Sequence, residues 1–180
     1  MWRMHVPHHI VLVGPMGAGK TTLGQALAAR LGRAFVDVDA RIEADAGQSI
    51  PALFAAEGEA GFRRRESDAL RAVLAGAPAI IATGGGVVLD AGNRAVMRAA
   101  GTVVYLSVDP ETQLARLRGD TGRPLLQTAD PARTLAALQA QREPLYRDAA
   151  HLVFDPGTLA PDAAASMLAD RLASLETCPA

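Results

Sequence analysis

The sequence predicts an α/β fold of three layers, with helices on both sides of a parallel, five-stranded sheet. Five short apolar stretches are typical of buried strands, and segments with helical periodicity separate them. No hairpin turn signal joins these stretches, and strands that alternate with helices pair in parallel. With 180 residues, we expect a single domain, 1–180. The predicted strands are 10–13, 34–38, 79–83, 102–108 and 151–154.

Composition and charge limit the binding partners and the cellular location that we expect for this protein. A net charge of −1 does not indicate a nucleic-acid or anionic-membrane partner, and no apolar run reaches the ~18 residues that span a bilayer. Residues 1–5 lack the apolar core of a signal peptide. The single cysteine, Cys178, has no partner for an internal disulfide, and we interpret His8 and His9 as a solvated lead-in. We therefore expect a soluble, cytoplasmic protein, and we expect a monomer because no long exposed apolar stripe is evident.

The first predicted strand leads into the pattern G-x-x-x-x-G-K-T at 14–21, a phosphate-binding loop that opens a helix. Glycines let the backbone approach a ligand closely, and the N–H groups at a helix start bind phosphate. Lys20 can bridge the outer phosphates of a nucleotide, and the Thr21 hydroxyl can bind Mg²⁺. The nucleotide-binding residues predicted here are Gly14, Gly17, Ala18, Gly19, Lys20, Thr21 and Thr22.

Two carboxylates, Asp37 and Asp39, end the second predicted strand. Residues two apart on an extended chain point the same way, and open α/β sheets bind ligands at the carboxyl ends of their strands. Asp37 could help to hold Mg²⁺, and Asp39 could accept a hydrogen bond or a proton from a substrate hydroxyl. The alternative is that one of them caps a helix that begins near Ala40.

A basic run and a glycine run follow. Arg63, Arg64 and Arg65 cannot share one helical face, so most of this charge is expected to be solvated. One arginine could point inward to a carboxylate ligand, with Glu66 holding Arg63 in place. After the third strand, three glycines at 84–86 favour close approach of the backbone to a ligand over the alternative of a tight turn.

Two segments after the fourth predicted strand each have two interpretations. Asp109 ends the strand before a proline, which is typical of a helix cap rather than of a Walker-B aspartate. Glycines flank a basic segment, about 117–131, that suits a mobile lid over phosphates. Arg123 is the candidate there to neutralise charge on the transferred group, the alternative being an exposed loop with incidental arginines. Pro144 is expected to interrupt the next helix after Arg142.

Taken together, these motifs resemble the shikimate kinase family over about residues 10–175, nearly the whole chain. The family pattern reads G-x-x-G-x-G-K-[ST], D-x-D, G-E-x-x-F-R-x-x-E, G-G-G, R-P-L-L and R-x-x-x-Y. In this chain the six motifs occur in the same order, at 14–21, 37–39, 58–66, 84–86, 123–126 and 142–146. One departure is Val38, where Ser or Thr is common in the family.

The resemblance implies ATP-dependent phosphorylation of the 3-hydroxyl of shikimate, a step in the synthesis of chorismate and the aromatic amino acids. It implies that Arg63 and Arg142 hold the carboxylate of shikimate and that Asp39 takes its hydroxyls. The substrate-binding residues implied in this way are Asp39, Arg63, Gly85 and Arg142.

The resemblance also implies ATP and Mg²⁺ as the cofactors. Thr21 would bind Mg²⁺, with Asp37 behind it, and Arg123 would contact the ATP phosphates. By analogy, Arg116 and Pro161 would lie near the adenine. The catalytic residues implied are Lys20, Asp39 and Arg123.

Two alternatives share the first loop. Another small-molecule kinase on the same fold, such as a gluconate or nucleoside-monophosphate kinase, does not predict the D-x-D, F-R and triple-glycine motifs together. A nucleotide-binding regulator that has lost catalysis is the second alternative, and such a protein has no need of Asp39. The acceptor that is phosphorylated separates these functions.

Overall fold

The computed structural model describes residues 8–120 and 122–177. Within them, five strands form one parallel sheet, as predicted, and their order in the sheet is β2-β3-β1-β4-β5. The predictions for residues 1–5 and Cys178 lie outside this described part. The strands are β1 (His9–Val13), β2 (Ala34–Asp37), β3 (Ala79–Ala82), β4 (Gly101–Leu106) and β5 (Leu152–Phe154).

Helices connect the strands and cover both faces of the sheet. Short 3₁₀ helices, Val87–Leu89 and Pro124–Leu126, follow β3 and α5. No helix in the described ranges combines the length and apolar character needed to cross a membrane. The α-helices are α1 (Lys20–Leu31), α2 (Val38–Ala46), α3 (Ile50–Leu74), α4 (Ala91–Ala100), α5 (Pro110–Leu117), α6 (Pro131–Ala149) and α7 (Pro161–Thr177).

The sheet is the middle of three layers, because successive residues of a strand point to opposite faces. Val11 and Val13 of β1 belong to an apolar cluster with side chains of α2, α3, α4 and α6. Ile10 and Leu12 belong to a second cluster, with side chains of α1 and α7. The predicted three-layer fold is therefore confirmed.

The second strand ends earlier than predicted. Asp37 is the N-cap of α2, and its Oδ1 accepts a hydrogen bond from the Ala40 N–H at 3.2 Å. Helix α2 therefore begins at Val38 and places Asp39 in its first turn. The prediction that Asp37 and Asp39 share one face of a strand was wrong, and the helix-cap alternative holds for Asp37.

Two further local predictions were wrong. Helix α6 runs unbroken through Pro144, which was expected to interrupt it. His9 is not solvated: it lies in β1 with 4% of its surface exposed. Its Nδ1 accepts a hydrogen bond from the Ala79 N–H at 3.2 Å, and its Nε2 lies 3.1 Å from the Leu74 carbonyl oxygen. The acceptor role of Nδ1 assigns the ring proton to Nε2, so His9 joins β1 to the end of α3 and the start of β3.

Candidate active site

Three adjoining cavities lie at the carboxyl edge of the sheet, where the loops after β1, β2 and β3 meet. The loop cavity, of about 230 Å³, is lined by residues that include Lys20, Thr21 and Asp37. The inner cavity, of about 80 Å³, is lined by residues that include Asp39, Arg63 and Arg142. The outer cavity, of about 240 Å³, is lined by residues that include Ala18, Thr22 and Pro161. Except for Gly14, every predicted site residue lines at least one of the three.

The three glycines of the first loop, Gly14, Gly17 and Gly19, all have a positive φ, which favours glycine. Gly14 has a φ of 149°, and a β-carbon there would overlap the carbonyl oxygen of Leu106. Gly19 has the left-handed angles φ 88° and ψ 25° and lies directly before α1. The first turn of α1, whose N–H groups have no intrahelical partners, therefore starts at the loop cavity and suits an anion.

Lys20 begins α1 and folds back over the loop. Its Nζ donates to the carbonyl oxygens of Gly14 at 2.7 Å and Pro15 at 2.8 Å. Burial lowers the pKa of Lys20 to about 8, the Asp39 carboxylate opposes this shift, and Arg123 adds to it. At neutral pH the ammonium is still protonated, so it supplies positive charge at the loop cavity.

We expect kcat/KM for ATP to fall as the pH rises through about 8. This ratio reports ionisations of the free protein, in which Lys20 loses the proton that attracts phosphate oxygens. Bound phosphates favour the charged amine, so kcat should stay level to a higher pH than kcat/KM does. Steady-state rates across the alkaline range measure both profiles. In the control Lys20→Arg the residual activity should lack this decline, because a guanidinium stays charged; a wild-type kcat/KM that is flat through pH 8 would contradict the assignment.

Thr21 and Asp37 form an oxygen pair at the loop cavity. The Thr21 hydroxyl donates to Asp37 Oδ2 at 2.8 Å, so the capping carboxylate of α2 reaches the first turn of α1. Magnesium takes oxygen ligands and is usually held by one or two protein side chains together with substrate phosphates. The hydroxyl and the carboxylate are a donor set that fits the predicted Mg²⁺.

Asp39 lies between the loop cavity and the inner cavity and lines both. Burial raises the pKa of Asp39, the Asp37 carboxylate adds to this, and Lys20 opposes it. Its Oδ1 is buried and has no hydrogen-bond partner among the described residues. A buried carboxylate oxygen without a partner is unfavourable, so Asp39 is suited to accept a hydrogen bond or a proton from a ligand.

Of the three consecutive arginines, Arg63 turns inward, whereas Arg64 and Arg65 are exposed. Arg63 Nη1 donates to Glu66 Oε2 at 2.9 Å, the contact that the spacing predicts. The Glu66 side chain is only 2% exposed, and burial raises its pKa while Arg63 opposes that shift. Arg63 Nε is buried without a partner in the described part of the chain. Arg63 Nη2 also donates to Glu59 Oε1 at 3.2 Å, so two carboxylates fix the guanidinium and leave its Nε available.

The glycines at 84–86 make room for side chains of the site. A β-carbon at Gly84 would lie 2.7 Å from Glu66 Oε1 and 2.9 Å from Asp39 Oδ1. A β-carbon at Gly86 would overlap the Arg63 guanidinium. The segment also turns directly into the 3₁₀ helix after it, as the tight-turn alternative describes. The close approach of its backbone to a ligand stays a prediction.

Two more arginines complete the inner cavity. Arg142, on α6, is 4% exposed, and its Nε has no partner within the described ranges. Arg123 lines both the inner and the loop cavity. Its Nε donates to Asp120 Oδ2 at 2.9 Å, an ion pair that sequence reasoning did not predict. Three guanidinium groups and the Asp39 carboxylate thus surround one small space beside the phosphate-binding loop.

A family model described as shikimate kinase matches residues 16–173. The chain belongs to the shikimate kinase family. It is 48% identical over 171 residues to a shikimate kinase of Xanthomonas oryzae pv. oryzae, covering 95% of each sequence. These family members are ATP-dependent kinases, so the chain is an enzyme of that class.

Solved structures agree with the family. A shikimate kinase from Acinetobacter baumannii, in complex with shikimate, matches 96% of this chain and 97% of its own, at a TM-score of 0.93 and 42% identity. A shikimate kinase from Aquifex aeolicus matches 94% of this chain and 98% of its own, at a TM-score of 0.81 and 29% identity. The three-layer fold is therefore the fold of the shikimate kinase family.

In this member of the shikimate kinase family, α5 braces the phosphate-binding loop through two side chains. Arg116 Nη1 donates to the Gly17 carbonyl oxygen at 2.9 Å, and Gln113 Nε2 donates to the Met16 carbonyl oxygen at 2.9 Å. Sequence reasoning missed Gln113; the only signal was a polar side chain three residues before Arg116, on the same helical face. Asp109 caps α5, because its Oδ1 accepts a hydrogen bond from the Thr112 N–H at 2.9 Å. The helix-cap interpretation of Asp109 is therefore confirmed.

Proposed function

We propose that the chain carries out the reaction of its family at the loop and inner cavities. That reaction transfers the γ-phosphate of ATP to the 3-hydroxyl of shikimate and yields shikimate 3-phosphate and ADP, in the synthesis of chorismate and the aromatic amino acids. One observation carries the proposal: Asp39, Arg63 and Arg142 line one small cavity that adjoins the phosphate-binding loop. A ligand with hydroxyls at one end and a carboxylate at the other complements this arrangement of charges.

The carboxylate of shikimate would bind to Arg63, Arg142 and the Gly85 backbone. A guanidinium can donate to both oxygens of a carboxylate, which gives orientation as well as affinity. The buried Nε atoms of both arginines have no partner among the described residues, which supports this role. The two arginines come from different helices, α3 and α6, so they would clasp the carboxylate from two sides.

Transfer itself would depend on Asp39, Lys20 and Arg123. Phosphoryl transfer has a largely dissociative transition state, so positioning and neutralisation of charge dominate its catalysis. Asp39 would orient the attacking hydroxyl and accept its proton late in the reaction. Lys20 and Arg123 would neutralise negative charge on the transferred group.

The remaining predicted residues would serve ATP and Mg²⁺. Thr21 and Asp37 would hold Mg²⁺, whose chemistry is that of a Lewis acid that neutralises phosphate charge. Arg116 and Pro161 would flank the adenine in the outer cavity. The phosphates would lie against the backbone of Gly14, Gly17, Ala18, Gly19, Lys20, Thr21 and Thr22.

We extend the proposal to the organisation of the chain. Residues 1–180 would form a single domain, with a lid over about 117–131 that closes on the phosphates and excludes water. The protein would act as a cytoplasmic monomer on small molecules. Sedimentation at assay concentration tests the oligomeric state.

Coupled ADP release with ATP and Mg²⁺ tests the function, with shikimate, gluconate and AMP as acceptors. We expect turnover with shikimate alone. Arg142→Ala should then raise the KM for shikimate about 10- to 150-fold, the loss of a charge-assisted pair worth ~1.5–3 kcal/mol. Arg133→Ala, which removes an exposed arginine from the start of the same helix, should leave it unchanged.

Other outcomes of this assay identify the alternatives. Turnover with gluconate or AMP in place of shikimate would keep nucleotide binding but discard the roles of Arg63, Gly85 and Arg142. Tight ATP binding without turnover on any acceptor would favour a regulator. A KM for shikimate that Arg142→Ala leaves unchanged would remove Arg142 from carboxylate recognition.

A further inference from the structure

Tyr146 is the one residue of the R-x-x-x-Y motif to which the reaction gives no role. It is fully buried, and its ring stacks on Tyr105 with 5.1 Å between ring centroids and 21° between planes. A core tyrosine of this kind needs a partner for its hydroxyl. The Tyr146 hydroxyl donates to the Gly85 carbonyl oxygen at 2.6 Å, across the boundary between α6 and the glycine segment.

The contact fixes more than one carbonyl group. In a trans peptide the carbonyl and the following N–H point in opposite directions, so holding the Gly85 carbonyl also orients the Gly86 N–H. The N–H groups of Gly85 and Gly86 have no hydrogen-bond partner among the described residues. Both glycines line the inner cavity. Glycine has no side chain to restrict its backbone, so this orientation depends on outside contacts.

Tyr146 lies one helical turn beyond Arg142, on the same face of α6. A β-carbon at Gly85 would be 3.5 Å from both Arg142 Nη1 and the Tyr146 hydroxyl oxygen. One turn of α6 therefore touches both parts of the inner cavity: Arg142 lines it directly, and Tyr146 holds the backbone opposite. The end of this helix is fixed in turn by Arg98, whose Nη1 donates to the carbonyl oxygens of residues 148–150.

We propose that Tyr146 is a positioning residue for carboxylate recognition, because its hydroxyl sets the backbone of Gly85 and Gly86 at the inner cavity. The inference rests on the proposed function, in which that backbone and Arg142 bind the carboxylate of shikimate. Tyr146 touches neither shikimate nor ATP in this scheme and acts through Gly85.

The hydroxyl remains a donor throughout the working range of pH. Burial raises the pKa of Tyr146 to about 12, with the positive charge of Arg142 and a side-chain hydrogen bond from it opposing that shift. Deprotonation therefore does not release the Gly85 carbonyl near neutral pH. An effect of Tyr146 on substrate binding should show no pH dependence of its own there.

Tyr146→Phe removes only the hydroxyl and keeps the ring that packs on Tyr105. We expect the KM for shikimate to rise about three- to tenfold, the effect of one lost neutral hydrogen bond. The values of kcat and of KM for ATP should stay within about twofold, since the catalytic groups and the phosphate-binding loop are intact. Steady-state kinetics with each substrate varied in turn measures this split.

Tyr105→Phe is the matched control. It removes the hydroxyl from the other ring of the same stack, which accepts from Gln139 Nε2 at 3.1 Å and does not touch Gly85. Its KM for shikimate should be unchanged even if its Tm falls as far as that of Tyr146→Phe. Equal effects of the two variants on the KM for shikimate would reduce Tyr146 to a packing residue and overturn the proposal.

An acceptor whose carboxylate is replaced by a hydroxymethyl group tests the route of the effect. Tyr146→Phe should weaken binding of shikimate but not of this analogue, and an equal loss for both would overturn the proposal. If Tyr146→Phe is too unstable for kinetics, calorimetry in saturating ADP, which stabilises the folded state, measures the same two affinities. The proposed function fails separately, if the wild type does not turn over shikimate.

Discussion

Asp39→Asn should lower kcat by about 10²- to 10⁴-fold, the contribution of a general base, and leave the KM for ATP within about twofold. The substitution keeps the size of the side chain and one carbonyl oxygen, so it still fits beside Gly84. What it removes is the negative charge and the ability to take a proton from the attacking hydroxyl. Steady-state rates at saturating shikimate and ATP measure the loss.

The position of Asp39 makes this effect large. Burial raises the pKa of Asp39, which makes its carboxylate a stronger base near neutral pH than an exposed aspartate. Its Oδ1 has no hydrogen-bond partner in the described part of the chain. The nearby Lys20 Nζ donates to two loop carbonyl oxygens and not to Asp39, so its hydrogen bonds do not occupy this carboxylate.

Asp45→Asn is the matched control for Asp39→Asn. Asp45 lies on the same helix, exposed, and pairs with Arg41 at 2.8 Å on the solvent side. Its loss should leave kcat unchanged, because surface ion pairs contribute little. If Asp39→Asn turned over at a rate near that of the wild type, Asp39 would have no part in the transfer step.

The position of Asp39 also shows what sequence reasoning could and could not predict. The loop motif predicted the phosphate-binding edge, because its spacing is tied to one backbone geometry. The D-x-D motif predicted two carboxylates at that edge, but the directions that it predicted for them were wrong. Those depend on where β2 ends, and the end is set by the hydrogen bond between the Asp37 side chain and the Ala40 N–H. A one-residue shift in a strand end changes which way the next side chain points.

Contacts between distant segments were harder to predict than local motifs. The three glycines at 84–86 were expected to lie close to a ligand, which stays a prediction, but the sequence did not indicate that Gly84 and Gly86 also make room for the side chains of Glu66, Asp39 and Arg63. His9 was expected in solvent because of its place near the chain start, yet α3 and β3 bury it. Neither set of contacts leaves a pattern in the local sequence. The contacting residues are 18 to 70 positions apart in the chain and meet only in the folded protein.

Arg123→Ala should lower kcat by about 10²- to 10³-fold, the cost of removing one preorganised donor from a developing charge. Arg123 Nε is held by Asp120 at 2.9 Å, and its Nη groups have no partner among the described residues. The ion pair therefore aims the guanidinium while leaving its outer nitrogens available at the loop and inner cavities. Single-turnover rates, measured by mixing the preformed enzyme–ATP complex with shikimate, separate a slower transfer step from slow product release.

Arg118→Ala is the matched control for Arg123→Ala, because Arg118 is an exposed arginine on the same segment. It should keep a kcat close to that of the wild type, since the charge of an exposed side chain is screened by solvent and salt. Equal losses in the two variants would show that the segment needs net positive charge only, and would remove the specific role of Arg123.

Asp39→Asn and Arg123→Ala should also shift the alkaline decline of kcat/KM for ATP in opposite directions. Asp39 raises the pKa of Lys20 and Arg123 lowers it, so these neighbours act on one ammonium with opposite sign. Asp39→Asn should therefore shift the decline to lower pH, and Arg123→Ala should shift it to higher pH. Shifts in one direction for both variants would mean that a group other than Lys20 causes the decline. Loss of a nearby carboxylate lowers the pKa of an ammonium, and loss of a nearby guanidinium raises it.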